Sequence, residues 1–239
     1  IVANDTTNPT ECCSSATLII YIVDINDHSP EFPQQAYILS VKEHANIGTK
    51  IATVRATDPD SGSFGRITYS LLPKSIRNDF KVNSTTGVIT VENNITLDRE
   101  KRPIYYATLQ ATDGGNRIGT TALEIVLEDI NDFHPVMARD SYTAFITENK
   151  DNELNIRIEA FDNDQEGTNN SEIRYTIAAG DYRQNFTIDP ITGVLRSVGP
   201  IDREDMKSSL NGKIILIVEA YDLGIPKLST TVNVTINVE

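Results

Sequence analysis

The chain repeats itself with a period of about 105 residues, and this repetition restricts its architecture more than any other feature. Asp24-Ile25-Asn26-Asp27 recurs as Asp129-Ile130-Asn131-Asp132, and a proline follows each copy at the same offset. Leu97-Asp98-Arg99-Glu100 recurs in the same way as Ile201-Asp202-Arg203-Glu204. A period of this length is too long for a solenoid unit and fits a whole small domain.

Further acidic landmarks keep the same order in both periods. Asp58 and Asp60 recur as Asp162 and Asp164, Glu43 recurs as Glu148, and Asp113 recurs as Asp222. So many landmarks at nearly one spacing indicate duplicated domains rather than coincidence.

Each period contains short segments that alternate apolar and polar residues and are rich in Val, Ile, Thr and Tyr, which is the pattern of β-strands. In the first period these segments are 36–41, 50–56, 66–71, 80–82, 88–91, 105–111 and 121–127. Seven short strands in about 100 residues predict a Greek-key β-sandwich. We therefore predict an all-β fold of tandem seven-stranded Greek-key sandwiches that resemble one another.

The repeats set the predicted domain boundaries. Residues 28–132 and 133–239 form two complete domains, the second without its C-terminal linker, and residues 1–27 are the end of a truncated one. In that first stretch we predict the end of a strand at residues 1–3, a polar loop, and a strand from Thr17 to Val23. We expect the chain to be a segment of a longer precursor, since it starts at Ile1 without a signal peptide.

Composition excludes some functions. Asp and Glu number 34 against 21 Lys and Arg, and the net charge of −13 argues against a nucleic-acid partner. The acidity fits cation binding as well as plain solubility. The sequence contains no run of about 18 apolar residues, so it predicts no membrane span.

The cysteines and the glycosylation sequons bear on the compartment. Cys12 and Cys13 are adjacent and form neither a disulfide framework nor a zinc-type spacing, so a vicinal disulfide, two free thiols or pairing outside the chain stay open. Six Asn-x-Ser/Thr sequons favour secretion. They lie at Asn4, Asn83, Asn94, Asn169, Asn185 and Asn233.

The acidic landmarks predict a metal site. If the sandwiches stack end to end, eight carboxylates meet at one junction: Glu43, Asp98, Glu100, Asp129, Asp132, Asp162, Asp164 and Asp222. Two unit charges about 4 Å apart repel by about 4 kcal/mol at an effective dielectric of about 20. Protonation, separation or a cation must relieve this repulsion, and Arg99 is the only Arg or Lys that we place among these acids.

Oxygen ligands of this kind favour calcium over magnesium or zinc. The three histidines, His28, His44 and His134, are scattered in the sequence. An EF-hand is excluded, because a 12-residue loop from Asp58 would place Tyr69 where a bidentate Glu is required. Turn-forming Asx residues are the alternative explanation for a single Asp-x-Asp, but not for the whole repeated set.

Taken together, these motifs resemble the extracellular cadherin repeat over essentially the whole chain. The resemblance implies about three calcium ions at a complete junction, each with 6–8 oxygen ligands. It assigns side-chain ligation to the eight acids and Asn131, and main-chain ligation to Ile130, Phe133 and Asn170.

Two other junction sets are incomplete in this chain. The upper set, where we expect partial occupancy, comprises Asp24, Asn26, Asp27, His28, Asp58, Asp60 and Asp113. The lower set, which we expect to be largely empty, comprises Glu148, Asp202 and Glu204. The chain has no tryptophan, which excludes adhesion by tryptophan exchange through this segment.

The resemblance implies a calcium-dependent cell-adhesion ectodomain at the cell surface, whose parent protein is anchored in the membrane outside this segment. Its expected partners are other cadherin ectodomains, homophilic or heterophilic. A receptor module that binds ligands through exposed sandwich faces is the alternative. An enzyme is the third hypothesis, since paired carboxylates serve glycoside hydrolysis, but no nucleophile motif or phosphate loop supports it.

Overall fold

A computed structural model describes residues 2–3, 14–15, 17–150 and 154–239. The chain forms two compact units. The first unit consists of 1–37, 50–92 and 106–124, and the second of 38–49, 93–105 and 125–239. Within the described ranges, helical structure is limited to 3₁₀ turns at Lys74–Asn78, Arg183–Asn185 and Ser208–Leu210. No helix of the described residues is long and apolar enough to cross a membrane.

The strands of the first period agree with the predicted segments. They are β3 (Ala36–Lys42), β4 (Lys50–Thr53), β5 (Thr68–Leu72), β6 (Phe80–Val82), β7 (Val88–Val91), β8 (Ile104–Thr112) and β9 (Ile118–Glu128). Four of them form a sheet in the order β3-β9-β8-β5, and three form a sheet in the order β4-β7-β6. Before them, β1 (Val2–Ala3) pairs with β2 (Ser14–Ser15) in antiparallel orientation.

The second period repeats this arrangement. Its strands are β10 (Val136–Met137), β11 (Ser141–Ile146), β12 (Asn155–Arg157), β13 (Ala160–Phe161), β14 (Arg174–Gly180), β15 (Phe186–Ile188), β16 (Val194–Ser197), β17 (Lys213–Tyr221) and β18 (Ser229–Val238). The sheets have the orders β11-β18-β17-β14 and β12-β16-β15, and β10 pairs separately with β13. The prediction of an all-β fold with sandwich sheets is confirmed.

The alternation of the strands sets the core. On β17, Ile214, Leu216, Val218 and Ala220 are fully buried, while the residues between them face outward. Burying one such aliphatic side chain contributes about 1.5–3 kcal/mol, so the long central strands supply much of the stability of each unit.

A glycine turn before β7 and its copy before β16 depend on a missing side chain. Gly87 and Gly193 both have a φ of +67°, in the left-handed region that favours glycine. A Cβ atom on Gly87 would lie 2.1 Å from the carbonyl oxygen of Val54, and one on Gly193 would lie 2.2 Å from that of Ile158. The Thr-Gly-Val motif therefore marks a tight turn that packs against the backbone of a neighbouring strand.

The predicted strand from Thr17 to Val23 is wrong. These residues are not assigned to a strand, and Tyr21, Ile22 and Val23 are 84%, 95% and 82% exposed. A strand needs a hydrogen-bonded partner, and none of the strand pairs in the described part of the chain includes this segment. Apolar alternation alone therefore predicted an element that has no neighbour to pair with. The predicted features at Asn4, Cys12 and Cys13 lie outside the described residues.

Leu97 connects the core to the acidic loop that comes after it, and its replacement tests this support. The side chain is fully buried, and its carbonyl accepts the His44 N–H at 2.9 Å. We expect Leu97→Ala to lower the free energy of unfolding by about 2–5 kcal/mol, because it leaves a cavity. Ile95→Ala is the control, since Ile95 is 81% exposed, and its effect should stay within about 0.5 kcal/mol. Urea denaturation measures both, and equal effects would contradict the assignment.

Candidate metal centre

The Asp-x-Asp motifs form the same turn in both periods. The N–H of Asp60 donates to Asp58 Oδ1 at 3.0 Å, and the N–H of Asp164 donates to Asp162 Oδ1 at 3.0 Å. This is an Asx turn, in which the first aspartate satisfies the backbone two residues later. In each motif the turn uses one oxygen of the first carboxylate and leaves the other available.

The linker tetrapeptides dock onto these turns through backbone donors that recur in the two periods. Asp24 Oδ2 accepts the Ser61 N–H at 2.7 Å, and Asp129 Oδ1 accepts the Gln165 N–H at 3.1 Å. The first aspartate of each linker is therefore held by the residue directly after the Asp-x-Asp turn.

A second backbone bond completes each linker attachment. The N–H of His28 donates to Asp60 Oδ2 at 3.2 Å, and the N–H of Phe133 donates to Asp164 Oδ1 at 3.3 Å. Both donors come directly after a linker tetrapeptide. The same two-bond frame thus exists at 24–28 in the first unit and at 129–133 in the second.

Asp113 and Asp222 are held in a buried position by backbone donors. Asp113 is 5% exposed, and its Oδ1 accepts the N–H groups of Gly115 and Arg117, both at 2.8 Å. Asp222 is fully buried, and its Oδ1 accepts the Gly224 N–H at 3.0 Å. The Leu228 N–H lies 3.1 Å from both Asp222 oxygens, so backbone donors fix one oxygen of Asp113 and both oxygens of Asp222.

Two glycines that sequence reasoning missed make room for the linker asparagines. A Cβ atom on Gly115 would lie 1.9 Å from Asn26 Nδ2, and one on Gly224 would lie 2.4 Å from Asn131 Cγ. Asn131 Nδ2 donates to the Pro226 carbonyl at 2.5 Å, which orients the carboxamide. The signal available in the sequence was that each glycine lies two residues after its aspartate, Asp113 or Asp222.

The second unit adds a buried glutamate to this frame. Glu43 is 1% exposed, and its Oε2 and Oε1 accept the N–H groups of Arg99 and Ile130 at 2.8 Å and 3.0 Å. One oxygen each from Glu43, Glu100 and Asp129 lie within 4.8 Å of one another. The structure therefore brings together acids that are far apart in the sequence.

Cationic side chains neutralise part of this charge. Arg99 Nη1 lies 3.5 Å from Glu100 Oε1 and 3.6 Å from Asp129 Oδ1. Lys101 Nζ lies 2.6 Å from Asp98 Oδ2, and this pairing holds the pKa of Asp98 below its usual value and that of Lys101 above. The expectation that Arg99 alone shares these positions was incomplete, because the sequence did not show that Lys101 reaches back to Asp98.

Two histidines also contact the acids. His28 Nδ1 lies 2.8 Å from both Asp27 Oδ1 and Asp60 Oδ1, and the hydrogen bond to Asp60 holds the pKa of His28 above its usual value. Burial raises the pKa of Asp60, but the hydrogen bonds from His28 outweigh this effect and hold the pKa of Asp60 below its usual value. His44 Nε2 lies 3.1 Å from Asp132 Oδ2. His28 and His44 are scattered in the sequence, but in the structure each contacts an acid of a linker.

The three predicted main-chain ligands take different positions. The carbonyl of Ile130 accepts the Asp132 N–H at 3.0 Å, which occupies one of its two lone pairs. Phe133 contacts the acids through its N–H, which donates to Asp164. Asn170 Nδ2 donates to Asp129 Oδ2 at 2.8 Å, so that its side chain fixes a predicted ligand.

The lower set is more open. Oxygens of Glu148, Asp202 and Glu204 lie within 4.8 Å of one another, and Glu204 is exposed. The N–H of Arg203 donates to Glu148 Oε2 at 3.1 Å, which repeats the bond from Arg99 to Glu43. A hydrogen bond with Glu148 raises the pKa of Glu204.

The remaining predicted ligands fall into two groups, one in each compact unit. The first-unit cluster consists of Asp24, Asn26, Asp27, His28, Asp58, Asp60 and Asp113. The second-unit cluster consists of Glu43, Asp98, Glu100, Asp129, Ile130, Asn131, Asp132, Phe133, Asp162, Asp164, Asn170 and Asp222.

Unpartnered buried oxygens test whether these clusters fit a cation. Seven buried side-chain oxygens in the described ranges have no hydrogen-bond partner, and every one belongs to one of the two clusters. They are Asn26 Oδ1, Asp58 Oδ2, Asp113 Oδ2, Glu100 Oε2, Asn131 Oδ1, Asp162 Oδ2 and Asp164 Oδ2. Leaving such an atom unpartnered costs about 1–3 kcal/mol, more when it is charged. A set of oxygen donors with these unmet bonds fits calcium.

The pKa values within the second-unit cluster also indicate that it fits a cation. Burial and the neighbouring Asp162 raise the pKa of Asp164 from 3.8 to about 7. Burial also raises the pKa values of Glu100 and Asp162. These acids are therefore crowded enough to resist ionisation when no cation is bound.

Known proteins share this architecture. Residues 37–128 and 142–239 match the family model described as the cadherin domain. "Cadherin-related family member 2" from Homo sapiens is 47% identical over 240 residues, which cover 100% of this chain and 18% of that protein. "Protocadherin Fat 4" from Homo sapiens is 33% identical over 241 residues, which cover 100% of this chain and 5% of that protein. The chain thus spans less than a fifth of the length of these relatives.

A solved structure agrees with these sequence matches. The crystal structure of mouse cadherin-23 EC22-24 superposes with a TM-score of 0.76 at 31% sequence identity. The match covers 91% of this chain and 66% of that chain.

The raised pKa of Asp164 predicts how stability depends on pH without metal. In chelator, the folded chain holds this proton up to a pH of about 7 and the unfolded chain only up to about 3.8, so the thermal midpoint should fall as the pH rises between them. Asp164→Asn should reduce this fall, and it should be more stable than the wild type in chelator at pH about 7.5 but less stable in excess calcium. Differential scanning calorimetry measures both, and identical profiles for the two proteins would contradict the assignment.

Proposed function

The chain belongs to the cadherin family, and we propose that it is a calcium-stiffened segment of a cell-adhesion ectodomain. Cadherin domains bind calcium, and the observation that supports this role here is the set of buried oxygens without partners in both clusters. Bound calcium supplies positive charge and accepts oxygen donors in flexible geometry.

In the second-unit cluster, ligands come from both sides of the linker. We propose repeats at 28–132 and 133–239, preceded by part of another repeat at 1–27. Glu43 and Glu100 then belong to one repeat, Asp162 and Asp164 to the next, and 129–132 joins them. We propose about three ions here, the number that membership of the family implies, since two or three divalent ions would neutralise most of the eight negative charges.

The first-unit cluster has fewer charges, and we propose lower occupancy there. It contains five carboxylates where the second-unit cluster contains eight. Two of its acids, Asp27 and Asp60, already contact the His28 ring at 2.8 Å. The lower set includes the exposed Glu204 and none of the unpartnered buried oxygens of the described residues, and we propose that it is largely empty.

The residues of the second-unit cluster would convert ion binding into stiffness. Backbone donors on both sides of the linker hold Glu43, Asp129 and Asp222 in place. Asp162 and Asp164 each accept one backbone N–H at Oδ1, while Oδ2 of each stays unmet. Without a cation, like charges at about 4–5 Å repel by several kcal/mol at an intermediate dielectric, and this repulsion favours separation of the two sides. When bound calcium neutralises them, the same acids hold the two sides of the linker together through shared ions.

The surroundings of the protein are part of the same proposal. We propose an extracellular location at the cell surface, and other cadherin ectodomains as homophilic or heterophilic partners. The sequons stay predictions: Asn83, Asn169 and Asn233 are exposed, and Asn94 and Asn185 are half-buried. The same carboxylates are proposed to bind ions rather than to catalyse a reaction, because their backbone frame occurs twice in the chain.

A receptor module that uses sandwich faces is the second candidate. The outward face of the sheet β11-β18-β17 carries two large apolar side chains, Phe145 at 62% and Ile215 at 52% exposure. An oligomerisation assay on the segment distinguishes a contacting face from a spacer.

Asp162 provides a direct test of the stiffening role. We expect calcium to narrow the range of conformations of the wild type, so that its maximum dimension in small-angle X-ray scattering changes when a chelator is added. Asp162→Asn removes the charge of a carboxylate whose own Oδ2 is buried without a partner, and it should weaken this response. Asp58→Asn, the same substitution in the first-unit cluster, should leave the response of the second-unit cluster in place. An unchanged maximum dimension of the wild type would contradict the proposal.

A further inference from the structure

We propose that Arg99 is a resident counter-cation of the second-unit cluster, which stabilises the metal-free form and so lowers the affinity for calcium. This inference rests on the proposed function of the cluster. It assigns a role to the arginine between the two acids of the Asp-Arg-Glu motif. This arginine has no oxygen with which its side chain could bind a metal ion.

Arg99 contacts three of the acids at once. Its side-chain Nη1 lies 3.5 Å from Glu100 Oε1 and 3.6 Å from Asp129 Oδ1, and its backbone N–H donates to Glu43 Oε2 at 2.8 Å. Glu43, Glu100 and Asp129 are also the three acids whose oxygens lie within 4.8 Å of one another. The guanidinium is therefore placed where carboxylates are crowded.

The contact lies in a poorly hydrated place. The side chains of Arg99, Glu100 and Asp129 are 20%, 13% and 6% exposed. Screening by solvent and salt is weak for groups that are this buried, so one positive charge offsets a substantial part of the repulsion between two carboxylates.

The contact leaves ligand oxygens available. Arg99 takes Oε1 of Glu100, while Oε2 of the same carboxylate is buried without a partner. The guanidinium therefore does not replace the cation at this atom. It offsets part of the negative charge of the cluster through Oε1 of Glu100 and Oδ1 of Asp129, and leaves Oε2 of Glu100 for an ion.

A permanent charge beside a cation site has opposite effects on the two forms. Arginine stays protonated at any physiological pH, so its charge is present whether or not calcium is bound. Without calcium it attracts the crowded acids and stabilises the cluster. With calcium bound it repels the ions, so removing the charge should shift the balance towards the bound form.

Arg203 is a natural control within the same chain. It occupies the equivalent position in Ile201-Asp202-Arg203-Glu204, and its N–H makes the equivalent bond to Glu148. Its side chain is exposed, however, and within the described residues it forms no ion pair. The two arginines thus share a motif but not an environment.

Calcium titration calorimetry at constant ionic strength, together with thermal unfolding in chelator, tests the proposal on the 239-residue chain. Arg99→Gln should raise the calcium affinity of the second-unit cluster several-fold and lower the metal-free midpoint. Arg99→Lys keeps the charge and should resemble the wild type in both. Arg203→Gln should change neither. Arg99→Met, which keeps the aliphatic stem, is a second neutral variant in case the glutamine variant does not fold.

The outcomes separate this inference from the proposed function. A wild type that binds no calcium would overturn both. A wild type that binds calcium, with an unchanged or reduced affinity in the neutral variants, would overturn only the role of Arg99. Reduced affinity with an unchanged metal-free midpoint would indicate that Arg99 positions Glu100 for the ion instead.

Discussion

Repulsion between buried carboxylates is the interaction on which the rest of this structure depends. The folded chain gathers eight acids in the second-unit cluster, and four buried oxygens there have no hydrogen-bond partner: those of Glu100, Asn131, Asp162 and Asp164. Each such group has a desolvation cost that hydrogen bonds in water would otherwise remove. A fold that keeps these groups in place without a cation is less stable than the same fold with one bound. In the proposed function, this difference is what makes the stiffness of the chain depend on calcium.

Two sandwiches supply the frame that makes this arrangement reproducible. Backbone N–H groups hold the carboxylates of Glu43, Asp129 and Asp222 in fixed places, and the strands β8, β9 and β17 carry the buried cores from which the acidic loops extend. Because the frame uses backbone donors, it recurs in the first-unit cluster despite different neighbouring side chains. Arg99 and Lys101 lie within ion-pair distance of Glu100, Asp129 and Asp98 and offset part of the negative charge.

The sequence was informative where its residues alternate along a strand or recur from one repeat to the next. Alternation predicted the strands around both cores, and duplication identified the acidic landmarks that the two periods share. It was uninformative where contacts depend on three-dimensional proximity. His44 contacts Asp132 although the two are far apart in the sequence. A Cβ atom on Gly224 would overlap the Asn131 side chain, which no local pattern reveals. Residues 17–23 show the opposite error, since their apolar alternation satisfied the pattern of a strand but found no partner to pair with.

Anomalous diffraction from crystals grown with calcium, or with a lanthanide in its place, tests the central claim most directly. We predict ions bound to Glu100 Oε2, Asn131 Oδ1, Asp162 Oδ2 and Asp164 Oδ2, the four buried oxygens of the second-unit cluster that lack partners. Water molecules or protonated carboxylates satisfying those oxygens, with no anomalous peak beside them, would contradict the claim.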